Sequence, residues 1–189
     1  ISYYGTITSD KVFVESDPPA NDFLGKVCQN WEQMAGKFEE SGIRTVKIRT
    51  GIVLTKKSGV LARTAIPTRF GIGSALGNGK QYMPWIHIDD LCDIYIKAIE
   101  DSIMTGAYNA VAPGHITNRV FMSTTAKVLG KPFFFPAVPS FLMKMLFGQM
   151  SEIILYGSRV SAEKIISAGY SFKFPDLENA LKNLLTNKL

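Results

Sequence analysis

The sequence contains little cysteine and no recognisable metal-binding pattern. Its two cysteines, Cys28 and Cys92, have no CxxC spacing and fall on segments with helical periodicity. This argues against a zinc site and against a disulfide scaffold. We therefore predict no metal site, and we expect both cysteines to be buried thiols in a reducing compartment.

Long apolar runs are also missing. The longest ones, such as residues 133–135 and 153–155, are far shorter than the roughly 18 apolar residues that cross a bilayer, so no membrane span is predicted. The first residues contain no basic segment followed by an apolar stretch, so we find no secretory signal, although a missing N-terminus would hide one. We expect a cytoplasmic protein without a membrane partner.

The chain has no block of basic residues. Its formal charge of +5 comes from 21 basic and 16 acidic side chains scattered in ones and twos. Without a basic stripe or a nucleic-acid-reading motif, this balance favours solubility or attraction for anionic small molecules over a nucleic-acid partner. The shares of hydrophobic residues, 46%, and charged residues, 20%, are typical of a folded globular protein.

The chain begins with what the sequence predicts to be the end of a strand. Tyr3-Tyr4-Gly5 has this character, and nothing upstream could pair with it. We therefore expect a fragment of a longer protein, the back half of a larger domain. Residues 6–19 follow as a predicted surface loop because Pro18 and Pro19 block a helix.

Residues 20–54 complete a β-α-β pattern typical of a parallel sheet. The predicted helix ends near Ser41, and its apolar residues recur at spacings of three and four, giving one face that should pack on the sheet. This face consists of Leu24, Val27, Cys28, Trp31, Met34, Ala35 and Phe38. A mostly buried strand follows within residues 43–54, and Gly51 interrupts it where the backbone could approach a ligand closely.

The middle of the chain alternates between loops, strands and helices. Residues 58–79 are rich in glycine and predict a loop over a pocket, with Arg63 and Arg69 on a short helix inside it. Residues 85–87 predict a short strand that runs into a helix, with Asp89 or Asp90 as the N-cap. The pattern then predicts a strand over 106–111 and a helix over 117–129.

The last third predicts a small helical subdomain with one short strand. Its helical segments are residues 141–156, 161–168 and 177–185. The apolar segment 141–147 is expected to be a lid or an interdomain contact, or else a partner surface.

Several motifs together resemble a known superfamily. They are Tyr3-Tyr4-Gly5, Asp22-Phe23-Leu24, Trp31-Glu32, Arg49-Thr50-Gly51-Ile52-Val53-Leu54 and Trp85-Ile86-His87-Ile88-Asp89-Asp90. The combination resembles the extended short-chain dehydrogenase/reductases, and more narrowly their nucleoside-diphosphate-sugar epimerase-like branch. The tail over residues 139–185 is similar to the C-terminal domain of unknown function in that branch.

The resemblance implies an α/β protein that binds NADP or NAD. It implies that residues 1–57 are the C-terminal part of a Rossmann-type parallel sheet, that residues 58–135 form a substrate-side region, and that residues 136–189 form a smaller, mostly helical subdomain. The glycine-rich turn that holds the pyrophosphate in this superfamily has no counterpart here. Gly71-x-Gly73 and Gly77-x-Gly79 do not open a helix after a strand, so we interpret them as a substrate-side loop.

The catalytic pattern of the superfamily is also changed. Its tyrosine acts as acid or base, and a lysine four residues later lowers the pKa of that tyrosine. If Glu32 matches the acidic residue that follows the lysine, Cys28 occupies the lysine position and Leu24 the tyrosine position. Tyr4 is then the one catalytic candidate, with packing at a strand end as the alternative.

Candidate ligand residues follow from the resemblance. Tyr4 and the segment Gly51-Ile52-Val53 would lie beside the nicotinamide, with a plain core strand as the alternative for the segment. The substrate-side candidates are Arg63, Arg69, Trp85, His87 and Arg159. The guanidinium groups could hold a diphosphate. Their alternatives are solvated surface for the arginines, an aromatic core residue for Trp85, and a buried, backbone-bonded histidine for His87.

The resulting prediction is an NAD(P)-binding epimerase- or dehydrogenase-like protein of unconventional catalytic make-up that acts on a nucleotide sugar or similar small molecule. The alternative is a protein that binds NADP without catalysis, as a sensor or scaffold. A third alternative is an interaction module built from the C-terminal helices. We expect the chain alone to bind a dinucleotide poorly.

Overall fold

The computed structural model describes residues 2–5, 7–148 and 151–186, except for the side chains of residues 146 and 147. Its strands are β1 (Val12–Phe13), β2 (Val46–Thr50), β3 (Ile52–Leu54), β4 (Trp85–His87), β5 (Gly106–Ala110) and β6 (Arg159–Val160). Its helices are a 3-10 helix (Ser2–Tyr4), α1 (Phe23–Glu40), α2 (Gly59–Arg69), α3 (Ile88–Glu100), α4 (Asn118–Val128), α5 (Ser140–Phe147), α6 (Ser151–Leu155), α7 (Glu163–Ser167) and α8 (Leu177–Thr186).

All three strand pairs of the described chain are parallel. β2 pairs with β5, with Val46 opposite Gly106, and β3 pairs with β4, with Ile52 opposite Trp85. Gly51 separates β2 from β3, so one extended segment pairs with β5 before this glycine and with β4 after it. Parallel pairing with helical crossovers confirms the predicted α/β class.

The predicted strand end and the predicted loop at the start were both wrong. Ser2–Tyr4 is a 3-10 helix, and residues 12 and 13 form β1, which pairs with β6 of the tail. The sequence could not show this pairing because a two-residue strand has no measurable periodicity and its partner lies about 150 positions further along the chain.

Helix α1 has the predicted length, and its predicted burial was wrong. Trp31, Met34 and Phe38 are 70%, 57% and 58% exposed. In the described part of the chain, α1 contacts the 3-10 helix and forms two ion pairs with β2, Glu32–Arg49 and Glu39–Lys47. These contacts leave the side chains of Trp31, Met34 and Phe38 on its apolar face uncovered.

The cysteines lie on helices as predicted, but the prediction of burial was wrong. Cys28 on α1 is half-buried, and burial raises the pKa of its thiol. Cys92 on α3 is exposed because that helix buries its opposite face, including Leu91 and Ile94. No helix within the described ranges is long and apolar enough to cross a membrane.

Among the described residues, two hydrophobic clusters hold the structure together. The first joins Tyr4 and Phe13 to Ile94 of α3 and Ile165 of α7. The second joins residues of β3, β4, α2, α4 and α8, with Trp85 and Phe121 among its buried members. Residues from each of the three predicted segments share these clusters, and the segment boundaries themselves stay a prediction.

Candidate functional site

One large cavity, of about 640 Å³, lies between the 3-10 helix, α2, α4 and the tail. Its apolar wall is formed by Ile52, Val60, Pro67, Ile72, Leu76, Met83, Pro84, Met122, Val138, Met143, Ile153, Ile154 and Val160. Its polar side chains are Ser2, Tyr4, Arg63, Thr64, Ser74, Gln81, Tyr82, Asn118, Tyr156 and Ser158. A concave, mostly apolar pocket with a few convergent polar groups is typical of a small-molecule site.

The structure brings three of the predicted site residues to this cavity. Tyr4, Ile52 and Arg63 line it. Gly51, Val53, Arg69, Trp85, His87 and Arg159 are not among its lining residues. The predicted ligand residues are therefore divided between the cavity and the protein interior or surface.

The Tyr4 hydroxyl group belongs to a buried polar cluster. It accepts a hydrogen bond from Arg49 Nη1 at 2.9 Å, and it lies 2.8 Å from Asn109 Oδ1 and 3.1 Å from Val14 O. Burial raises the pKa of Tyr4 against the opposing effect of Arg49. The single phenolic proton is thus already committed to a protein acceptor, which is evidence against the predicted catalytic role of Tyr4.

Arg49 organises this cluster. Its Nε and Nη2 atoms bind the two oxygens of Glu32 at 2.7 and 2.8 Å, a bidentate geometry. Its guanidinium group also lies 3.4 Å from the ring centroid of Tyr3. Burial opposes the charge of Arg49, but the hydrogen bonds to Glu32 and Tyr4 outweigh burial and raise its pKa. Glu32, which was used to align the catalytic pattern, is therefore the ion-pair partner of Arg49.

Gly51 is needed for packing inside the protein. A Cβ atom at this position would lie 2.6 Å from Pro84 O and 2.9 Å from Val111 Cγ1. The close approach to the Gly51 backbone that the sequence predicted is thus made by Pro84 and Val111 of the protein itself. Cofactor roles for Gly51, Ile52 and Val53 stay predictions.

His87 and Trp85 are interior residues. The His87 Nδ1 atom accepts a hydrogen bond from the Asp89 N–H at 3.1 Å, Nε2 lies 3.2 Å from Asn183 Oδ1, and the ring stacks on Phe174 at 3.9 Å. His87 is therefore the N-cap of α3, and the prediction that Asp89 or Asp90 has this role was wrong. Burial lowers the pKa of His87. His87 is thus a buried, backbone-bonded histidine and Trp85 an aromatic core residue, as the structural alternatives described.

The three candidate arginines have different surroundings. Arg63 is exposed and lines the cavity, whereas Arg69 is exposed in the last turn of the same helix. Arg159 forms an ion pair with Asp10 at 3.1 Å and donates a hydrogen bond to the Tyr82 hydroxyl group. Tyr82 lines the cavity, so Arg159 contacts a residue of the wall but does not line the cavity itself.

Two uncharged amides in the wall were missed at the sequence level. Gln81 Nε2 donates to Leu76 O and Ile154 O, both at 3.1 Å, and Asn118 Oδ1 accepts from the Leu76 N–H at 2.8 Å. The sequence gives only a weak signal for either residue. Gln81 closely follows the glycine-rich segment, and Asn118 is the first residue of α4. Within the described ranges, no group of three or more histidine, cysteine, aspartate or glutamate side chains could hold a metal ion.

Comparisons with known proteins agree with this architecture. Residues 138–184 match the family described as a domain of unknown function, DUF1731. The chain is 34% identical over 187 residues to the mouse epimerase family protein SDR39U1, covering 98% of this chain and 63% of the relative. It is 34% identical over 189 residues to the epimerase family protein YfhF of Bacillus subtilis, covering 100% and 61%.

Solved structures give the same result. The human epimerase family protein SDR39U1, crystallised with NADPH, matches with a TM-score of 0.87 at 34% identity, over 94% of this chain and 60% of that one. A nucleoside-diphosphate sugar epimerase from Corynebacterium glutamicum matches with a TM-score of 0.77 at 27% identity, over 97% and 35%.

The fold and these matches define a Rossmann-type protein of the short-chain dehydrogenase/reductase class. Within that class, the chain is similar over almost its whole length to epimerase family proteins, and its residues 138–184 match the DUF1731 region, as the sequence motifs indicated. The chain spans 61% to 63% of the length of the two curated relatives described above.

Proposed function

We propose that the protein binds NADP or NAD and acts on a nucleotide sugar or a similar small molecule held in the cavity. The observation that carries the proposal is the cavity itself, which is enclosed jointly by the Rossmann-type part and the tail. The NADPH named for the human relative supports the choice of cofactor. The cytoplasm remains the proposed location.

The described residues fit one end of a dinucleotide better than the other. Tyr4, Gly5 and Ile52 offer an uncharged wall suited to a nicotinamide ring. The sequence contains no G-x-G-x-x-G turn, and α3, which directly follows β4, carries the carboxylates Asp89 and Asp90 in its first turn. Two carboxylates in a first turn would repel a pyrophosphate group.

A bound nicotinamide cofactor would supply the hydride chemistry. The described residues bind and orient the substrate. Arg63 offers a cation at the cavity wall, and the tail residues Met143 and Ile154 shield the interior from water. Leu24 and Cys28, at the positions expected for the tyrosine and lysine, do not provide the usual proton transfer.

The experiment uses the complete gene product with NADPH or NADP and a panel of sugar nucleotides. The nicotinamide absorbance reports net reduction or oxidation, and proton NMR detects an epimerised product without net redox change. We expect Arg63→Gln to raise the KM for a substrate that contains a diphosphate. Arg69→Gln is the matched control, on the same helix but outside the wall. Equal KM values for the two variants would remove Arg63 from the substrate site.

A second candidate function is NADP binding without catalysis. The occupied Tyr4 hydroxyl group and the residues Leu24 and Cys28 favour it. Saturable NADPH binding with no product from any compound of the panel would support this alternative, and turnover of one compound would exclude it.

A further inference from the structure

Gln81 has a side chain whose orientation is fixed by its own hydrogen bonds. It lines the cavity and is 1% exposed. Its Nε2 atom donates to Leu76 O and to Ile154 O, both at 3.1 Å. These two bonds use both N–H groups of the amide, and a flipped amide would place an oxygen against two carbonyl oxygens. The two bonds therefore leave the carbonyl oxygen Oε1 as the polar atom of this side chain that has not yet been given a partner.

Gln81 Oε1 is buried and has no hydrogen-bond partner among the described residues. Buried side-chain oxygens in folded proteins nearly always accept at least one hydrogen bond. The other wall amide differs, because Asn118 Oδ1 accepts from the Leu76 N–H and Asn118 Nδ2 contacts Met83 Sδ at 3.5 Å. Gln81 thus presents an acceptor that the neighbouring protein groups leave unused.

The wall around Gln81 restricts the chemistry of a ligand there. Arg63 is the one charged side chain among the described residues that line the cavity, and it is exposed. The tail contributes apolar side chains, including Met143, Ile153 and Ile154. A charged group placed against such a wall would lose its hydration without compensation.

We propose that Gln81 Oε1 accepts a hydrogen bond from an O–H or N–H group of the ligand, and that the part of the ligand reaching it is uncharged and predominantly apolar. The inference rests on the proposed function in taking the cavity as the ligand site. It adds a specificity-determining residue and a chemical class for the buried part of the substrate.

Matched probe pairs test this proposal in the complete gene product. For an O–H donor the pair is 4-phenylphenol and its methyl ether, and for an N–H donor it is biphenyl-4-carboxamide and its N,N-dimethyl derivative. We expect the donor-bearing member of at least one pair to bind about fivefold tighter by calorimetry, because its methylated partner leaves the buried acceptor unpaired. Which pair shows the preference identifies the donor.

A direct readout is the carbon resonance of the Gln81 side-chain carbonyl in protein labelled with isotopic glutamine. It should shift with the donor-bearing probe and remain in place with the methylated one. Gln81→Met preserves the side-chain volume and should abolish the preference. Thr64→Val is the matched control, since the Thr64 hydroxyl group in the same wall already donates to Val60 O at 2.9 Å, and this variant should keep the preference.

Equal affinities within both pairs for the unmodified protein would overturn the proposal, and so would a donor preference that survives in Gln81→Met. The comparison of probes in the unmodified protein decides the question even if Gln81→Met does not fold. Because probe binding requires no turnover, failure here is distinguishable from failure of the sugar-nucleotide assay.

Discussion

At the scale of single residues, burial determines which polar groups remain available. His87 is the clearest case, because its Nδ1 atom must be unprotonated to accept the Asp89 N–H. The proton of the neutral ring is then on Nε2, which donates it to Asn183 Oδ1. Burial lowers the pKa of His87, although the nearby Asp89 carboxylate acts in the opposite direction. The folded state therefore favours the neutral ring.

This state predicts a pH dependence of stability. An unfolded histidine has a pKa of about 6.5, and the folded pKa is lower, so between these values the unfolded chain binds more protons. The free energy of unfolding should fall as the pH drops below about 6.5. We expect His87→Asn, which keeps an N-cap acceptor without titrating, to lose less stability than the unmodified protein between pH 7.5 and 5.0 in urea unfolding.

The second histidine provides the control for this measurement. His115 is largely exposed, and the partial burial of its ring together with the positive charge of Arg159 lowers its pKa as well. His115→Gln measures its share of the pH effect. Identical losses of stability in the unmodified protein and in His87→Asn would contradict the assignment to His87.

At the scale of secondary-structure elements, a buried carboxylate ties α3 to the tail. Asp90 is fully buried, and its Oδ1 atom accepts from the Tyr170 hydroxyl at 2.8 Å and from the Lys173 N–H at 2.7 Å. Its Oδ2 atom accepts from the Phe174 N–H at 3.0 Å. Burial and then the hydrogen bond to Asp90 raise the pKa of Tyr170. This carboxylate therefore fixes the segment before α8 against α3.

We expect Asp90→Asn to lower the free energy of unfolding by about 2 kcal/mol, because an amide NH2 group would face a backbone N–H and leave a buried donor unpaired. Chemical denaturation followed by circular dichroism measures the change. Asp89→Asn is the matched control, in the same helical turn but with its side chain 56% exposed, and it should remain close to the unmodified protein. Equal effects of the two substitutions would rule out a special role for Asp90.

The elements differ in how well the sequence predicted them. Helix α4 agrees closely, with Thr117 as its N-cap, because capping and periodicity are local signals. The burial of α1 was predicted incorrectly because apolar periodicity identifies a face but does not identify what covers it. The N-cap of α3 was assigned to a carboxylate because the sequence could not show that Asp90 binds the tail.

At the scale of the whole molecule, pairs far apart in sequence build the cavity. Strand β1 pairs with β6, and the Ser158 hydroxyl donates to Ile7 O across 151 positions at 2.6 Å. Gln81 meets Ile154 across 73 positions. The sequence predicted a pocket near residues 58–79 and offered segment 141–147, which contributes Met143 to the wall, as a lid, but it did not predict the other tail residues that enclose the cavity.

At the scale of the whole molecule we also expect weak dinucleotide binding. We expect the 189-residue chain to bind NADPH far more weakly than the human relative crystallised with it. The physical reason is that these 189 residues contain no G-x-G-x-x-G turn, the motif whose backbone N–H groups hold the pyrophosphate in this fold. Calorimetric titration of both proteins measures the difference, with the human protein as the positive control. Tight, saturable binding by the chain would contradict the prediction.

The sequence by itself indicated the family resemblance and determined the α/β class and the positions of most helices and strands, because motifs, capping residues and apolar periodicity act over a few residues. The tertiary structure alone decided which candidate residues face the cavity. It placed His87 and Trp85 in the interior, bound the Tyr4 hydroxyl group to Arg49 and Asn109, and left the side-chain oxygen of Gln81 without a partner among the described residues. These outcomes depend on contacts between distant segments, and a linear pattern does not contain them.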